Sequence, residues 1–534
     1  MSKVDFKQFI NQKKIIIFLV ILFVFSLYCA LTIGETYDHK DNLIRGKITL
    51  DYLFSFGEID RNISFREYYS TIYWSLSYLV SKQFPVQYQI DISHLINLFF
   101  SLSTIVGMGK VSSELFNKKI GRITFLILFF YPVFFGHMAI NTKDTILAFS
   151  HVWITYLLIR YIKNQIFKVK RNSYIIYLSI LAAIATGIQI VFLGSLLPII
   201  LFIILDIFIF KKIVCKEFNF TNFFYDLVKC FLIFYFFLTL FWIDTHSNIF
   251  TQPFNIIIET FSKDFYTGWP FNLIDGNYYL SNEVPKFYLL TNIFFKSPEF
   301  FLACYLIFPI IFLSSMYFFK KKIIFFKYKI YLLFVILIFP NLILFLVPYP
   351  LYDGMRLFLW TLPYYCIIPG LTIYYLIENF EKVRIKITFL SLSFLIAYFL
   401  FNFFTITPYQ YTYLNFLNGK AEYRHQKFEG DYWGASVENL IKNSDLKKNE
   451  NLKFSHCGIN HKILESYLFK YGYNNFSIID PENADYIIMT NRVVRKNDKD
   501  RKFELINCFD KFKGNDLFAV KRNGHILSVI RKKN

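Results

Sequence analysis

The sequence predicts an α-helical polytopic membrane protein of about 11 transmembrane helices, N-terminus inside and C-terminus outside, with a small external C-terminal α/β domain. Three observations carry this. The 534 residues are 55% hydrophobic and 21% aromatic, with a mean hydropathy of +0.39, more apolar surface than a soluble chain of that size can hide. The apolar residues fall in runs long enough to cross a bilayer. Lysine and arginine gather in every second gap between those runs.

The runs lie at 14–33, 92–109, 122–138, 145–161, 173–188, 190–210, 228–243, 300–319, 330–347, 357–377 and 387–405. The first follows Lys13 and Lys14 as a signal peptide would. It is too long for an h-region and has no small-residue cleavage site, so it reads as a retained anchor. Basic clusters include Lys3 and Lys7, Lys118 and Lys119, Lys168 to Arg171, Lys211 and Lys212, Lys320 to Lys322, and Lys382 to Lys386. The positive-inside rule places these in the cytoplasm. The net charge of +20 is therefore a topology signal, and nucleic acid is not an expected partner.

The remaining loops face outside and hold nearly all the membrane-proximal acids. Residues 1–405 form the transmembrane domain, with long external loops at 34–91 and 244–299, and 406–534 form the external domain. Residues 48–83 mix aromatics and charges at helical spacing, as an interfacial helix pair would. "ADYIIMT" and "DLFAVKR" are strand-like. The seven cysteines show neither a disulfide framework nor a CxxC metal pattern, and "SHCGINH" has too few ligands to read as a metal site. Lys, Asn, Ile and Phe usage points to an AT-rich bacterial genome, hence to a bacterial inner membrane.

Four constellations stand at external helix ends. "LTIGETYDHKDNL" crowds Glu35, Asp38, His39 and Asp41 behind an apolar run, where basic residues would more commonly stop a helix. "FFGHMAINTKDTILAF" presents His137, Asn141, Lys143 and Asp144; an acid in a helix's first turn also serves as an ordinary dipole partner. "PYPLYDGMRLFLW" offers Tyr352, Asp353 and Arg356, a fork for phosphate oxygens or a local i, i+3 ion pair. "NLIDGNYYLSNEVPKFYLL", with Glu283, reads by itself as a turn-rich loop. No P-loop, GxGxxG, GxSxG or HExxH motif occurs, so ATP-driven transport and standard hydrolase chemistry find no support.

These motifs, in this order, resemble those of the GT-C membrane glycosyltransferases, in the bacterial protein-mannosyltransferase and aminoarabinose-transferase-like branch. "TPYQYTYLN" and "DYWGAS" resemble the segment that opens their external tails, and the similarity covers most of residues 14–435. The resemblance implies a GT-C fold, a polyprenyl-phosphate-linked sugar donor, inversion at the anomeric carbon, and catalytic carboxylates at the outer ends of the first and fourth spans. Asp144 matches the second of these. Relatives often carry an adjacent Asp–Glu in the first loop, whereas here Glu35-Thr36 precedes Asp38. Register favours Glu35, with Asp38 the near alternative.

The expected chemistry is glycosyl transfer to a protein or glycolipid acceptor, with Glu35 or Asp38 as general base and Asp144 orienting the acceptor. His39, His137, Asn141, Lys143, Glu283, Tyr352, Asp353 and Arg356 are the expected substrate-binding residues. No cofactor is certain; Glu35, Asp38 and Asp144 are the acids that would hold a divalent metal ion. The rival classes are a transporter or flippase for lipid-linked saccharides and a non-catalytic envelope-assembly subunit. A transporter would carry polar residues deep in several spans, and apart from Gln189 and Asn341 few occur.

Overall fold

A computed structural model of the protein describes residues 3–58, 69–260, 268–347, 349–448, 450–496 and 504–533, with side chains from residue 13. Residues 59–68 of the expected interfacial pair and 261–267 of the second long loop lie outside the described residues, as do the side chains of Lys3 and Lys7. Helices α1 (Lys3–Thr32), α2 (His39–Phe54), α3 (Ile72–Ser81), α4 (Gln89–Leu115), α5 (Lys118–Phe129), α6 (Pro132–His137), α7 (Asp144–Asn164) and α8 (Lys168–Ile188) open the chain. α4 packs against α1, α3, α5 and α7.

Among the described residues, seven helices are long and apolar enough to cross a membrane, each matching one expected run: Lys13–Thr32, Val86–Leu115, Asp144–Asn164, Lys168–Ile188, Phe220–Leu240, Phe326–Leu346 and Val383–Thr405. The four other runs are shorter or broken helices, and proline explains most of the breaks. Run 122–138 splits at Tyr131-Pro132 into α5 and α6. Run 190–210 splits into Phe192–Ser195 and Leu197–Leu205, with Pro198 at the second start, then a wide turn at Asp206–Phe210. Run 357–377 splits into Leu362–Tyr365 and Ile367–Glu378, with Pro363 inside the first piece's opening turn. Run 300–319 becomes Glu299–Ser314, bent 115° from Tyr288–Lys296 across Ser297-Pro298.

The loop at 34–91 holds two helices, α2 and α3, but α2 starts at His39 rather than near residue 48. Gly46 lets them touch: a Cβ there would lie 2.2 Å from the Trp74 carbonyl oxygen. The segment "LIDGNYY" is not merely turn-rich. It forms a hairpin, β1 (Phe271–Ile274) with β2 (Asn277–Leu280), turned by Asp275 and Gly276, both at positive φ.

The C-terminal part carries a five-stranded sheet of β3 (Leu452–Cys457), β4 (Phe476–Ile478), β5 (Tyr486–Thr490), β8 (Asn515–Arg522) and β9 (His525–Lys532) in the order β4-β3-β5-β9-β8. β4, β3 and β5 run parallel, while β9 is antiparallel to both neighbours. A separate ribbon pairs β6 (Val493–Arg495) with β7 (Leu505–Asn507). The cysteine expectation is corrected here: Cys457 and Cys508 are disulfide-bonded, with Cα atoms 5.8 Å apart. They are 51 residues apart in sequence, and only the sheet's topology brings the end of β3 beside Cys508. One buried apolar cluster runs from the spans into this domain, through residues such as Phe135, Tyr409, Trp433 and Leu464.

Candidate active site

The helix ends that the sequence singled out converge. Asp38 directly precedes α2, where a side chain ordinarily caps the helix, yet it makes no such bond. Its Oδ2 instead accepts from Arg356 Nη2 at 2.9 Å. Asn42 and Arg45 follow at helical spacing on the same face: Asn42 donates to the Thr142 hydroxyl, and Arg45 donates to Asn42 Oδ1. α2 thus turns one polar face toward the α6–α7 loop.

That loop is held by amide chemistry. Asn141 Oδ1 accepts the backbone N–H groups of Lys143 and Asp144, an Asx-type turn that starts α7. Asn141 Nδ2 donates to Asp144 Oδ2 at 3.0 Å. From α4, the buried Asn97 donates to the carbonyls of Met138 and Asn141. The outcome is a buried Asp144 with one oxygen committed and Oδ1 without a hydrogen-bond partner among the described residues.

The third element is the "YDGMR" turn. Asp353 and Gly354 both have positive φ, at 59° and 63°. Asp tolerates this region and glycine is at ease there; a Cβ at Gly354 would also meet Lys296 Nζ at 2.3 Å. The reversal brings Asp353 and Arg356 back to back, and Arg356 Nη1 donates to Asp353 Oδ2 at 2.9 Å.

Arg356 is the centre. Its Nε donates to Asp144, Nη1 to Asp353 and Nη2 to Asp38, each at 2.9 Å. Its plane lies 4.4 Å from the Trp433 ring centroid and 5.6 Å from that of Tyr352. The three carboxylates come from three loops more than 100 residues apart in sequence. Of the three, Asp38 is the accessible one: its side chain is 49% exposed, against 2% for Asp144 and 1% for Asp353.

Behind Asp353 stands Arg492, which follows β5 by two residues and donates from Nη1 to Asp353 Oδ1 at 2.6 Å. It lies 3.7 Å from Glu429 and stacks 4.3 Å from the Trp269 ring centroid. Burial would raise the Asp353 carboxyl, but Arg492 and Arg356 hold it below the ordinary carboxylate range. Burial pushes Glu429 up to about 7, against the pull of Arg492.

Asp38, Asp353, Arg356, Arg492, Trp269, Tyr352 and Trp433 line a cavity of about 330 Å³ together with Tyr37, Asn42, Arg45, Tyr69, Trp74, Lys143, Gly268 and Tyr432. Lys143 Nζ is 3.4 Å from the Tyr69 hydroxyl and 5.0 Å from its ring centroid. No carboxylate of the described residues forms an ion pair with Lys143, and its charge pulls the Tyr69 phenol below its ordinary value.

Of the expected residues, Asp38, Lys143, Tyr352, Asp353 and Arg356 line the cavity, and Asp144 and Asn141 back it. His137 lies beneath: its Nε2 shares a 2.8 Å hydrogen bond with the Tyr432 hydroxyl. Glu35 does not reach the cavity. It is buried against the C-terminal domain, its backbone N–H donating to the Tyr467 hydroxyl at 2.6 Å. His39 is buried edge-on to His94, and Glu283 is exposed and outside the lining. Among the described residues no group of three His, Cys, Asp or Glu is arranged to hold a metal ion. The space between Asp38 and Asp144, where such an ion would sit, is taken by the Arg356 guanidinium. In "SHCGINH", Cys457 is committed to the disulfide.

Sequence reasoning missed Asn42, Arg45, Tyr69, Trp74, Trp269 and Arg492. The spacing of Asp38, Asn42 and Arg45 was a readable signal once α2 is started at His39; the lone Arg492 offered none.

This helical body with a small C-terminal α/β part is similar in fold to two solved structures of one membrane glycosyltransferase. The chain superposes on apo ArnT, an aminoarabinose transferase, from Cupriavidus metallidurans at a TM-score of 0.52 and 11% identity, covering 97% of this chain and 98% of that one. ArnT bound to undecaprenyl phosphate matches over the same shares at 0.51. The Archaeoglobus fulgidus oligosaccharyltransferase, at 0.43 and 10% identity over 87% of this chain and 65% of its own, is too distant in shape to bear on the site. No family model and no curated protein matches the chain.

Proposed function

We propose that the protein transfers a sugar from a polyprenyl-phosphate-linked donor to an acceptor hydroxyl or amine at the outer face of a bacterial inner membrane. The observation that carries this is Arg356, bound by three carboxylates at the wall of a cavity that also holds Lys143. The ArnT fold, solved with undecaprenyl phosphate, supports the donor class. The Cys457–Cys508 disulfide supports an oxidising, external setting for the C-terminal part, in agreement with the basic loops.

The donor's phosphate is attracted to Lys143, which has no carboxylate partner among the described residues, and to the outer edge of Arg356. Trp269, Tyr352 and Trp433 offer faces for the sugar ring. As phosphate engages Arg356 it competes with Asp38, the most exposed of the three acids, and releases it. Asp38 takes the acceptor's proton while the acceptor atom forms a bond to the anomeric carbon. The bond from that carbon to the phosphate oxygen breaks, and its electron pair leaves with polyprenyl phosphate. One displacement inverts the centre. Proton removal is worth about 10²–10⁴ in rate, and the fixed cations stabilise charge growing on the departing phosphate. Asp144 and Asp353 keep Arg356 in place.

The test is release of labelled sugar from a polyprenyl-phosphate donor by purified protein in lipid, with envelope extracts as acceptor source and Asp144→Asn as the comparison. Donor consumed by the wild type and spared by the variant supports transfer at this site. Donor untouched by the wild type even with extracts refutes it.

A further inference from the structure

The cavity is not built by the membrane body alone. Arg492, far along the chain in the C-terminal part, is buried and bonded to Asp353 at 2.6 Å, on the oxygen that Arg356 leaves free. Its surroundings fix it from several directions. The backbone N–H of Cys508 donates to the Arg492 carbonyl at 2.8 Å, and the Thr490 hydroxyl donates to the Gly458 carbonyl at 3.1 Å. The Cys457–Cys508 disulfide thus joins the two strips of chain that flank Arg492. Asn491, next to it, donates to the carbonyls of His425 and Phe428. A segment anchored on both sides presents one guanidinium to a carboxylate of the site.

The consequence is electrostatic. Arg356 faces three carboxylates with a single positive charge. If all three negative charges bore on it undiluted, an incoming phosphate would have to displace strong competitors. Arg492 draws on Asp353 from the other side and lowers its hold on Arg356. It also fixes the Asp353 carboxylate in one orientation through the stack on Trp269. We infer that Arg492 is a positioning residue by which the C-terminal domain tunes the site for a phosphate-bearing lipid: it holds Asp353 so that Arg356 remains available to the phosphate group. This rests on the donor class proposed above.

The experiment measures binding of undecaprenyl phosphate to the full-length protein in detergent, by quenching of tryptophan fluorescence, for wild type, Arg492→Gln and Arg492→Lys. Loss of a charge-assisted bond predicts affinity on the order of tenfold to a hundredfold weaker for Arg492→Gln. Arg492→Lys, which keeps the charge but not the fork, is expected to fall between the two. Tight binding by the wild type with unchanged affinity in Arg492→Gln overturns the inference and leaves the proposed function standing. Absence of binding by the wild type overturns both. If Arg492→Gln fails to fold, as judged by its melting profile, Arg492→Lys decides: wild-type affinity there overturns the inference, and weakened affinity with an unchanged melting temperature sustains it.

Discussion

Glu35 and Asp38 lie three residues apart in the loop between α1 and α2, yet the fold gives them different surroundings. Glu35 is turned into the seam with the C-terminal domain, where Oε1 has no hydrogen-bond partner among the described residues and burial raises its pKa to about 7. Asp38 is half exposed in the cavity and held by a guanidinium. Asp38 has a guanidinium against it, whereas at Glu35 burial outweighs the pull of Lys40 and Lys470 and drives the acid toward its neutral form. Nearness in sequence therefore says little about which carboxylate reaches the cavity; the start of α2 places Asp38 there, because it is the last residue before that helix turns its face to the site.

The sharpest way to break this comparison is to neutralise each acid in turn. Asp38→Asn keeps shape and removes the carboxylate proposed as the base, so turnover is expected to fall by about 10²–10⁴-fold with little change in melting temperature, read from a donor-consumption assay. Arg356→Gln comes next. It leaves three acids facing one another, two of them buried, and is expected to cost on the order of 3–5 kcal/mol of stability as well as activity, measured by denaturant melts in detergent.

Removing the disulfide tests the C-terminal side of the comparison. Closing a 51-residue loop contributes about 4 kcal/mol in the chain-entropy account, so Cys457→Ser with Cys508→Ser should melt earlier by that scale. A reductant should shift the wild type and leave the double variant unmoved. The smallest effect belongs to Glu35. Its pKa is raised above the unfolded value, so the folded state is relatively favoured at low pH and loses that advantage as pH climbs from about 4.5 toward 7. Glu35→Gln removes the loss: it should stabilise the protein by on the order of 1–3 kcal/mol at pH 8 and by little below pH 5. Its turnover should stay within about threefold of wild type.

The reach of sequence reading follows from the range of the interactions. Seven spans were legible because each is an unbroken run of hydrocarbon, and Asp144, Asp353 and Arg356 were legible because charge at a helix end is costly enough to require a reason. The broken helices were not: hydropathy counts apolar residues and is blind to a proline that splits a run, as at Pro132. The choice between Glu35 and Asp38 depended on where α2 begins, and helix starts without a side-chain cap leave a weak signal. Arg492 and the disulfide depend on contacts across 139 and 51 residues, which no local pattern encodes.

The most direct measurement places Asp38→Asn and Glu35→Gln side by side in the same labelled-donor assay. Collapse of sugar transfer in Asp38→Asn with near wild-type transfer in Glu35→Gln is the expected result, and it would tie the chemistry to the Arg356 cavity. Collapse in Glu35→Gln with Asp38→Asn still active would contradict it and move the reaction to the seam with the C-terminal domain.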